Sequence, residues 1–308
     1  MIPIDPEGTA RVFETIAKIA SGRTLVIVEH NIEQALPLVE RLIVLDERGR
    51  IALDGDVART FARAKADLLR YGVWYPGAWE DMKRLRPPLP PPEIGGSPRL
   101  EIADFAGYIG REAKIVIERA TVRPGEWIAI TGPNGAGKSV LLYALRGLIR
   151  TSGTYRIDGR PATQTDLTRM FGFVFQNPEF QFVAQTVAAE IGYTPAALGE
   201  PPARVQSCVA SALDAYRLGP YRTRHPFHLS LGQKRRLSVA AATAHAPPLW
   251  LLDEPTFGQD AQNAFALLDA IEHAREHGAA DDPLPAAALC RKHPTRHAAC
   301  LKHRSAGV

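Results

Sequence analysis

Between positions 132 and 139 the chain reads Gly132-Pro133-Asn134-Gly135-Ala136-Gly137-Lys138-Ser139, a stretch that leaves few folds open. It follows the apolar run Trp127-Ile128-Ala129-Ile130, which reads as a strand, and it opens the helical segment Val140 to Arg150. Glycines at these places let the backbone curl so that its N–H groups converge on phosphate oxygens at a helix N-terminus, where the helix dipole also favours negative charge. Lys138 can then reach the β- and γ-phosphates, and the Ser139 hydroxyl can join the shell of a Mg²⁺ ion. The expectation is an α/β fold with a nucleoside triphosphate on the loop from residue 132 to Val140.

Composition sets looser bounds. At 308 residues the chain suggests about two domains, and 45% apolar against 23% charged residues suffices for a globular core. No apolar run approaches the roughly 20 residues that span a bilayer, and Met1 to Pro6 lack the basic and apolar regions of a secretory signal. Three cysteines (Cys208, Cys290, Cys300) fit a reducing compartment better than a disulfide framework. Cys208, on the helix expected from Pro202 to Arg217, reads as packed rather than reactive. A net charge of +4 is small for this length and argues for no nucleic-acid partner.

The prolines of Arg84 to Pro98 remove backbone donors and favour extended chain, so 84–98 reads as a semi-rigid linker. Before it, residues 1–83 predict a helix from Thr9 to Ala20, a strand Thr24–Val28 ending in Glu29-His30, and a helix near Ile32 to Glu40. Two short strands follow, Arg41–Leu45 and Ile51–Leu53, around the turn Glu47-Arg48-Gly49. Residues 99–278 alternate strands and helices as a mostly parallel sheet covered on both faces requires. The last segment, 279–308, is rich in Ala, Pro, His, Arg and Cys and shows no period.

Further features follow the loop in order. Phe173-Val174-Phe175-Gln176 ends a strand with an amide suited to Mg²⁺ or to the attacking water. Leu229-Ser230-Leu231-Gly232-Gln233 starts a helix with a hydroxyl and a glycine, again suited to phosphate. Leu249-Trp250-Leu251-Leu252 is a buried strand delivering Asp253, a metal ligand, and Glu254, a general base for water. The basic run Lys234-Arg235-Arg236 reads as a solvated helix face.

Residues 99–278 resemble an ATP-binding cassette (ABC) nucleotide-binding domain. The resemblance implies a RecA-like parallel sheet with an antiparallel β subdomain and a helical subdomain. Gly132–Ser139 matches Walker A, Gln176 the Q-loop, Leu249–Glu254 Walker B, and Phe257–Asp260 the D-loop. Leu229–Gln233 matches the signature, with Leu231 where the family has glycine. Tyr108, thirty residues before Lys138, matches an aromatic that stacks on adenine. The wording Phe175-Gln176-Asn177-Pro178-Glu179-Phe180-Gln181-Phe182 is closest to the energy-coupling-factor subfamily, whose cassettes energise uptake of cobalt, nickel or vitamins. ATP and Mg²⁺ are the implied cofactors, with Ser139, Gln176 and Asp253 on the metal. A second cassette and transmembrane subunits are the implied partners, placing the chain on the cytoplasmic face of the membrane.

In that light residues 1–83 resemble the end of a first cassette, with Ile4-Asp5-Pro6-Glu7-Gly8 as a D-loop and His30 as the switch histidine. The second cassette lacks that histidine: 25 residues separate Asp5 from His30, and the same count from Asp260 reaches Pro285, where no β-branched strand is visible. Two expectations follow. The chain is a tandem cassette truncated at both ends, or Thr24–Val28 fills the place beside Leu249–Asp253 and brings His30 to the γ-phosphate. A site lacking such a group would bind ATP and turn it over poorly. In the tail, Cys290, His293, His297, Cys300 and His303 have zinc-like spacings without a turn and strand scaffold. A low-complexity or out-of-frame segment after about Gly278 accounts for them better.

Overall fold

The computed structural model describes residues 6–29, 31–46, 48–85, 94–256, 258–277 and 287–291. The chain divides into two compact units, Met1–Pro90 with Gly258–Ala266, and Pro91–Phe257 with Leu267–Val308.

In the first unit, α1 (Pro6–Ala20) precedes a hairpin of β1 (Arg41–Leu45) and β2 (Ile51–Asp56), followed by α2 (Val57–Arg70) and α3 (Ala78–Arg84). Asp56 caps α2 by accepting the Arg59 N–H at 3.0 Å. A small core gathers Ile32, Val44, Leu68, Leu69, Tyr75 and Ala78. The stretch 258–266 joins this unit: Trp74 Nε1 donates to the Gln259 carbonyl at 2.9 Å, and Trp79 stacks on Phe265 with centroids 4.5 Å apart.

Two expectations for this region are corrected. Thr24–Val28 forms no strand. Val26 and Val28 are 83% and 92% exposed, and no ladder partner lies beside them among the described residues. A β-rich sequence without a neighbour to bond gains nothing from extension. Residues 32–40 form turns and one 3₁₀ turn at Leu36–Leu38 rather than a helix. Pro37 lacks the N–H an α-helix would need there.

The second unit opens with β3 (Leu100–Ile109) and β4 (Glu112–Val122), which with β6 (Thr151–Ile157) and β7 (Arg160–Pro161) form an antiparallel sheet ordered β4-β3-β6-β7. Its other sheet is parallel, ordered β5-β10-β9-β8, where β5 is Trp127–Ile130, β8 Phe171–Val174, β9 Leu249–Leu252 and β10 Ala287–Arg291. The helices are α4 (Lys138–Arg146), α5 (Gln164–Met170), α6 (Val187–Ala197), α7 (Pro202–Ala215) and α8 (Leu231–Thr243), with α9 spanning Ala261–His277. One core packs α4 between the two sheets through Phe105, Ile115, Leu142, Phe171 and Leu251; a second joins α6, α7 and α8 through Ile191, Leu213 and Leu237. Gly172 lets α8 close on β8, because a Cβ there would collide with the Ala242 carbonyl and come within 2.7 Å of Pro247.

The strand β10 corrects a third expectation. The segment after residue 278 does contain a strand, Ala287–Arg291, lying parallel between β5 and β9 with Arg291 opposite Ile130 and Cys290 opposite Leu252. The vacant place reserved for Thr24–Val28 is therefore taken from the other end of the chain. Alanines carry no β-branching signal, but the backbone groups of β5 and β9 need partners whatever the side chains are. His30, Phe257 and the tail residues His293, His297, Cys300 and His303 lie outside the described residues, as does the side chain of Cys290.

Candidate functional site

The loop Gly132–Gly137 joins β5 to α4, as its sequence predicts. Gly137 sits at φ +83°, and a Cβ there would stand 3.1 Å from the Lys114 carbonyl of β4, so backbone conformation and close approach both demand glycine. Lys138 is only 6% exposed, and its Nζ donates to the Gly132 and Pro133 carbonyls, each at 2.6 Å. The ammonium is thus folded into the ring of its own loop. Ser139 and Val140 follow in the first turn of α4.

On the same end of the parallel sheet, β8 and β9 deliver the other groups. The Asp253 N–H donates to the Val174 carbonyl at 3.0 Å, which extends the ladder one residue past β9. Asp253 is fully buried and Glu254 is 5% exposed. Gln176 Nε2 donates to Glu254 Oε2 at 3.1 Å, which leaves the amide oxygen of Gln176 as the atom suited to a metal. Glu254 occupies the left-handed region at φ +50°, a conformation uncommon for a residue with a Cβ and concentrated at functional sites.

Ser230 caps α8, and its hydroxyl and the Gln233 side chain close a reciprocal capping box: Gln233 N–H to Ser230 Oγ at 3.3 Å and Ser230 N–H to Gln233 Oε1 at 2.9 Å. Both predicted side chains therefore serve the helix start, and the groups presented outward are the first-turn N–H groups around Gly232. Leu231, at the first helical position, is 53% exposed. Tyr108 stands near the β3–β4 turn, opposite Ala113, its hydroxyl 3.1 Å from Ser152 Oγ. The Arg150 guanidinium lies 4.2 Å over its ring, so one face of the ring is already stacked.

Sequence reasoning misplaced Arg235. It is not on a solvated face: it is 1% exposed, and it donates to the Phe175 carbonyl at 2.7 Å and the Gln176 carbonyl at 2.5 Å. Burial pulls its guanidinium down to about 10, while the Asp253 and Glu254 carboxylates pull the other way, so it stays charged at neutral pH. The signal was present in the run Leu237-Ser238-Val239-Ala240-Ala241-Ala242, buried throughout, which marks α8 as enclosed on more than one side.

The donors at the site, a hydroxyl (Ser139), an amide (Gln176) and a carboxylate (Asp253), are all oxygens and suit a hard divalent cation. Among the described residues no group of three or more His, Cys, Asp or Glu side chains is arranged to hold a metal. The single carboxylate of Asp253 in that donor set is the kind of ligand Mg²⁺ commonly takes together with substrate phosphates.

A phosphate loop between strand and helix, a parallel sheet ending in Asp253-Glu254, and a helical layer around α8 define a P-loop nucleotide-binding domain. Residues 119–257 match the family model described as ABC transporter. The chain is 34% identical over 281 residues to the putative HMP/thiamine import ATP-binding protein YkoD of Bacillus subtilis, covering 84% of this chain and 51% of that protein. It is 34% identical to the putative ABC transporter ATP-binding protein SCO3161 of Streptomyces coelicolor, covering 59% of this chain and 71% of the relative. It is 37% identical to the energy-coupling factor transporter ATP-binding protein EcfA1 of Lactiplantibacillus plantarum, over 52% of this chain and 58% of the relative. The structure of CbiO1 from Clostridium perfringens, described as part of the ABC transporter complex cbiONQ, superposes with a TM-score of 0.54 at 24% identity, covering 64% of this chain and 79% of that one, which shows the shared fold. The chain belongs to the ABC transporter ATP-binding family. It spans about half the length of the first relatives it matches.

Proposed function

We propose that this chain binds and hydrolyses Mg²⁺-ATP and energises an importer of the energy-coupling-factor type. The observation that carries the reading is the 3.1 Å contact between Gln176 and Glu254, one strand-end away from Asp253 and on the same sheet that presents Lys138. Lys138 binds the phosphates, Tyr108 offers its remaining ring face to adenine, and Val140 closes the loop. Ser139, Gln176 and Asp253 would hold Mg²⁺, which would supply charge neutralisation at the phosphates when bound. Glu254 takes the proton of the attacking water, and the Gln176 amide fixes the carboxylate that receives it.

Residues 99–278, with the strand 287–291 completing their parallel sheet, act as one cassette and 1–83 as the end of another, joined by 84–98, with His30 as its switch histidine. A second cassette supplies the facing surface for ATP against Ser230, Gly232 and Gln233. Transmembrane subunits dock near 177–191, where Phe180 and Val183 are 73% and 61% exposed. No described helix is long and apolar enough to cross a membrane. On this reading the chain works from the cytoplasmic face through those subunits. The likeness to YkoD supports the importer class, and the likeness to EcfA1 the energy-coupling-factor type.

The test is steady-state ATP hydrolysis by the purified chain beside Glu254→Gln. The general-base role predicts a fall of about 10²–10⁴ in kcat. Equal turnover by the two proteins would overturn hydrolysis at this site and leave a module that binds ATP with impaired turnover.

A further inference from the structure

We propose that Arg235 is a positioning residue for the reaction, setting Gln176, and through it Glu254, by gripping the main chain where β8 ends. The inference rests on the reading that this site binds Mg²⁺-ATP. Three consecutive carbonyls leave β8. The first, of Val174, is taken by the Asp253 N–H at 3.0 Å. The next two, of Phe175 and Gln176, lie past the ladder and are taken by the two terminal nitrogens of Arg235, at 2.7 and 2.5 Å. Holding both carbonyls fixes the peptide planes on either side of the Gln176 Cα, and with them the direction in which the side chain leaves. That side chain then reaches Glu254 Oε2.

Packing alone does not account for an arginine here. Taking a guanidinium to 1% exposure carries a desolvation cost that an apolar side chain of similar length avoids. What arginine adds is a rigid fork that meets two acceptors at once, beside a positive charge facing two buried carboxylates. A lysine supplies the charge and a single point of donation. Other bonds between α8 and this segment attach further on. Lys234 pairs with Glu179 at 2.5 Å, and Gln181 and Ser238 exchange bonds of 2.8 and 2.9 Å. They hold the loop beyond Gln176, whereas Arg235 holds Phe175 and Gln176 themselves. The helix that Ser230 caps is thereby tied to Glu254 through two side chains.

The test uses the full chain with Arg235→Met, Arg235→Lys, Gln176→Ala and the double variant Arg235→Met/Gln176→Ala, with Ser238→Ala as a control for loosened helix packing. Two quantities are measured: kcat and KM for ATP, and the gain in ATP affinity on adding Mg²⁺, read by calorimetry. Arg235→Met is expected to lower kcat about 10- to 100-fold, as a small misplacement of a catalytic group does, with KM moved far less. It should also lose the Mg²⁺-dependent gain as Gln176→Ala does, and the double variant should be little worse than either single one, since both act on one chain of contacts. Arg235→Lys should recover part of each effect, and its own kcat and Mg²⁺ gain decide the matter if the methionine variant does not fold. Ser238→Ala should keep kcat. Full retention of kcat and of the Mg²⁺ gain by both Arg235 variants, multiplicative effects in the double variant, or an equal loss in Ser238→Ala each overturns the proposal. Absence of turnover in the wild type counts against hydrolysis alone, because the Mg²⁺-dependent gain still decides the role of Arg235.

Discussion

At the residue scale the site stores conformational strain where its chemistry is expected. Glu254 holds φ at +50°, where the Cβ of an L-residue crowds the backbone and costs roughly 1–2 kcal/mol. A glycine in its place would relieve that crowding; an alanine would not. Glu254→Ala and Glu254→Gly both remove the carboxylate and its bond from Gln176, so they differ chiefly in backbone freedom. The glycine variant should therefore unfold at higher urea than the alanine variant, by about 1 kcal/mol, despite the greater freedom glycine gives the unfolded chain. The opposite order in paired urea titrations would mean that this turn carries no strain. Lys138 shows a related arrangement, since its ammonium is satisfied inside its own loop at 2.6 Å from two carbonyls, preformed for an anion.

At the element scale, legibility depended on whether the signal was local. The loop from Gly132 to Ser139, its flanking strand and helix, and the buried strand before Asp253 all announce themselves by residue type over a few positions, and all are present, although the helix stops at Arg146, where Gly147 takes a left-handed C-cap, and not at Arg150. The start of a helix at Ser230 was legible for the same reason, although the hydroxyl read as suited to phosphate caps that helix instead. The switch from Thr24–Val28 to Ala287–Arg291 was not, because what makes a central parallel strand is the pair of neighbours it bonds to rather than its own propensity. Arg235 was misread in the same way: three basic residues in a row suggest solvent, and only the packing of α8 against β8 encloses the middle one. The strand assignment is open to a direct test. Leu289 pairs with Ile128 on one side and Leu251 on the other, so Leu289→Pro removes a ladder donor from the middle of the sheet. A loss of about 1–3 kcal/mol in unfolding free energy is expected, from the buried carbonyl left without its donor. Were 287–291 irregular instead, the variant would melt with the wild type.

At the scale of the whole molecule, stability should depend on pH through a group far from the nucleotide loop. His245 follows α8, and neither of its buried ring nitrogens has a hydrogen-bond partner among the described residues. Burial first, and the nearby Arg146 charge second, hold its pKa down at about 4 against an ordinary 6.5. A base whose folded pKa is depressed contributes stability that is complete above its unfolded pKa and is lost as pH falls toward the folded value. The window is therefore pH 6.5 down to about 4, and the loss across it is on the order of 3 kcal/mol. Glu190 opposes this: burial raises its pKa above 4.5, so its protonation adds stability as pH falls. Asp54 and Asp81, held below 3.8 mainly by bonds from Arg41 and Lys65, become destabilising only at still lower pH. Comparing wild type with His245→Leu isolates the histidine, since Glu190 and the aspartates are common to both. The leucine variant should gain on the wild type as the buffer is taken from pH 7 to pH 4.5, in melting temperature and in urea midpoint alike. A difference between the two proteins that stays constant over that range would mean the imidazole is solvated and titrates near its ordinary value.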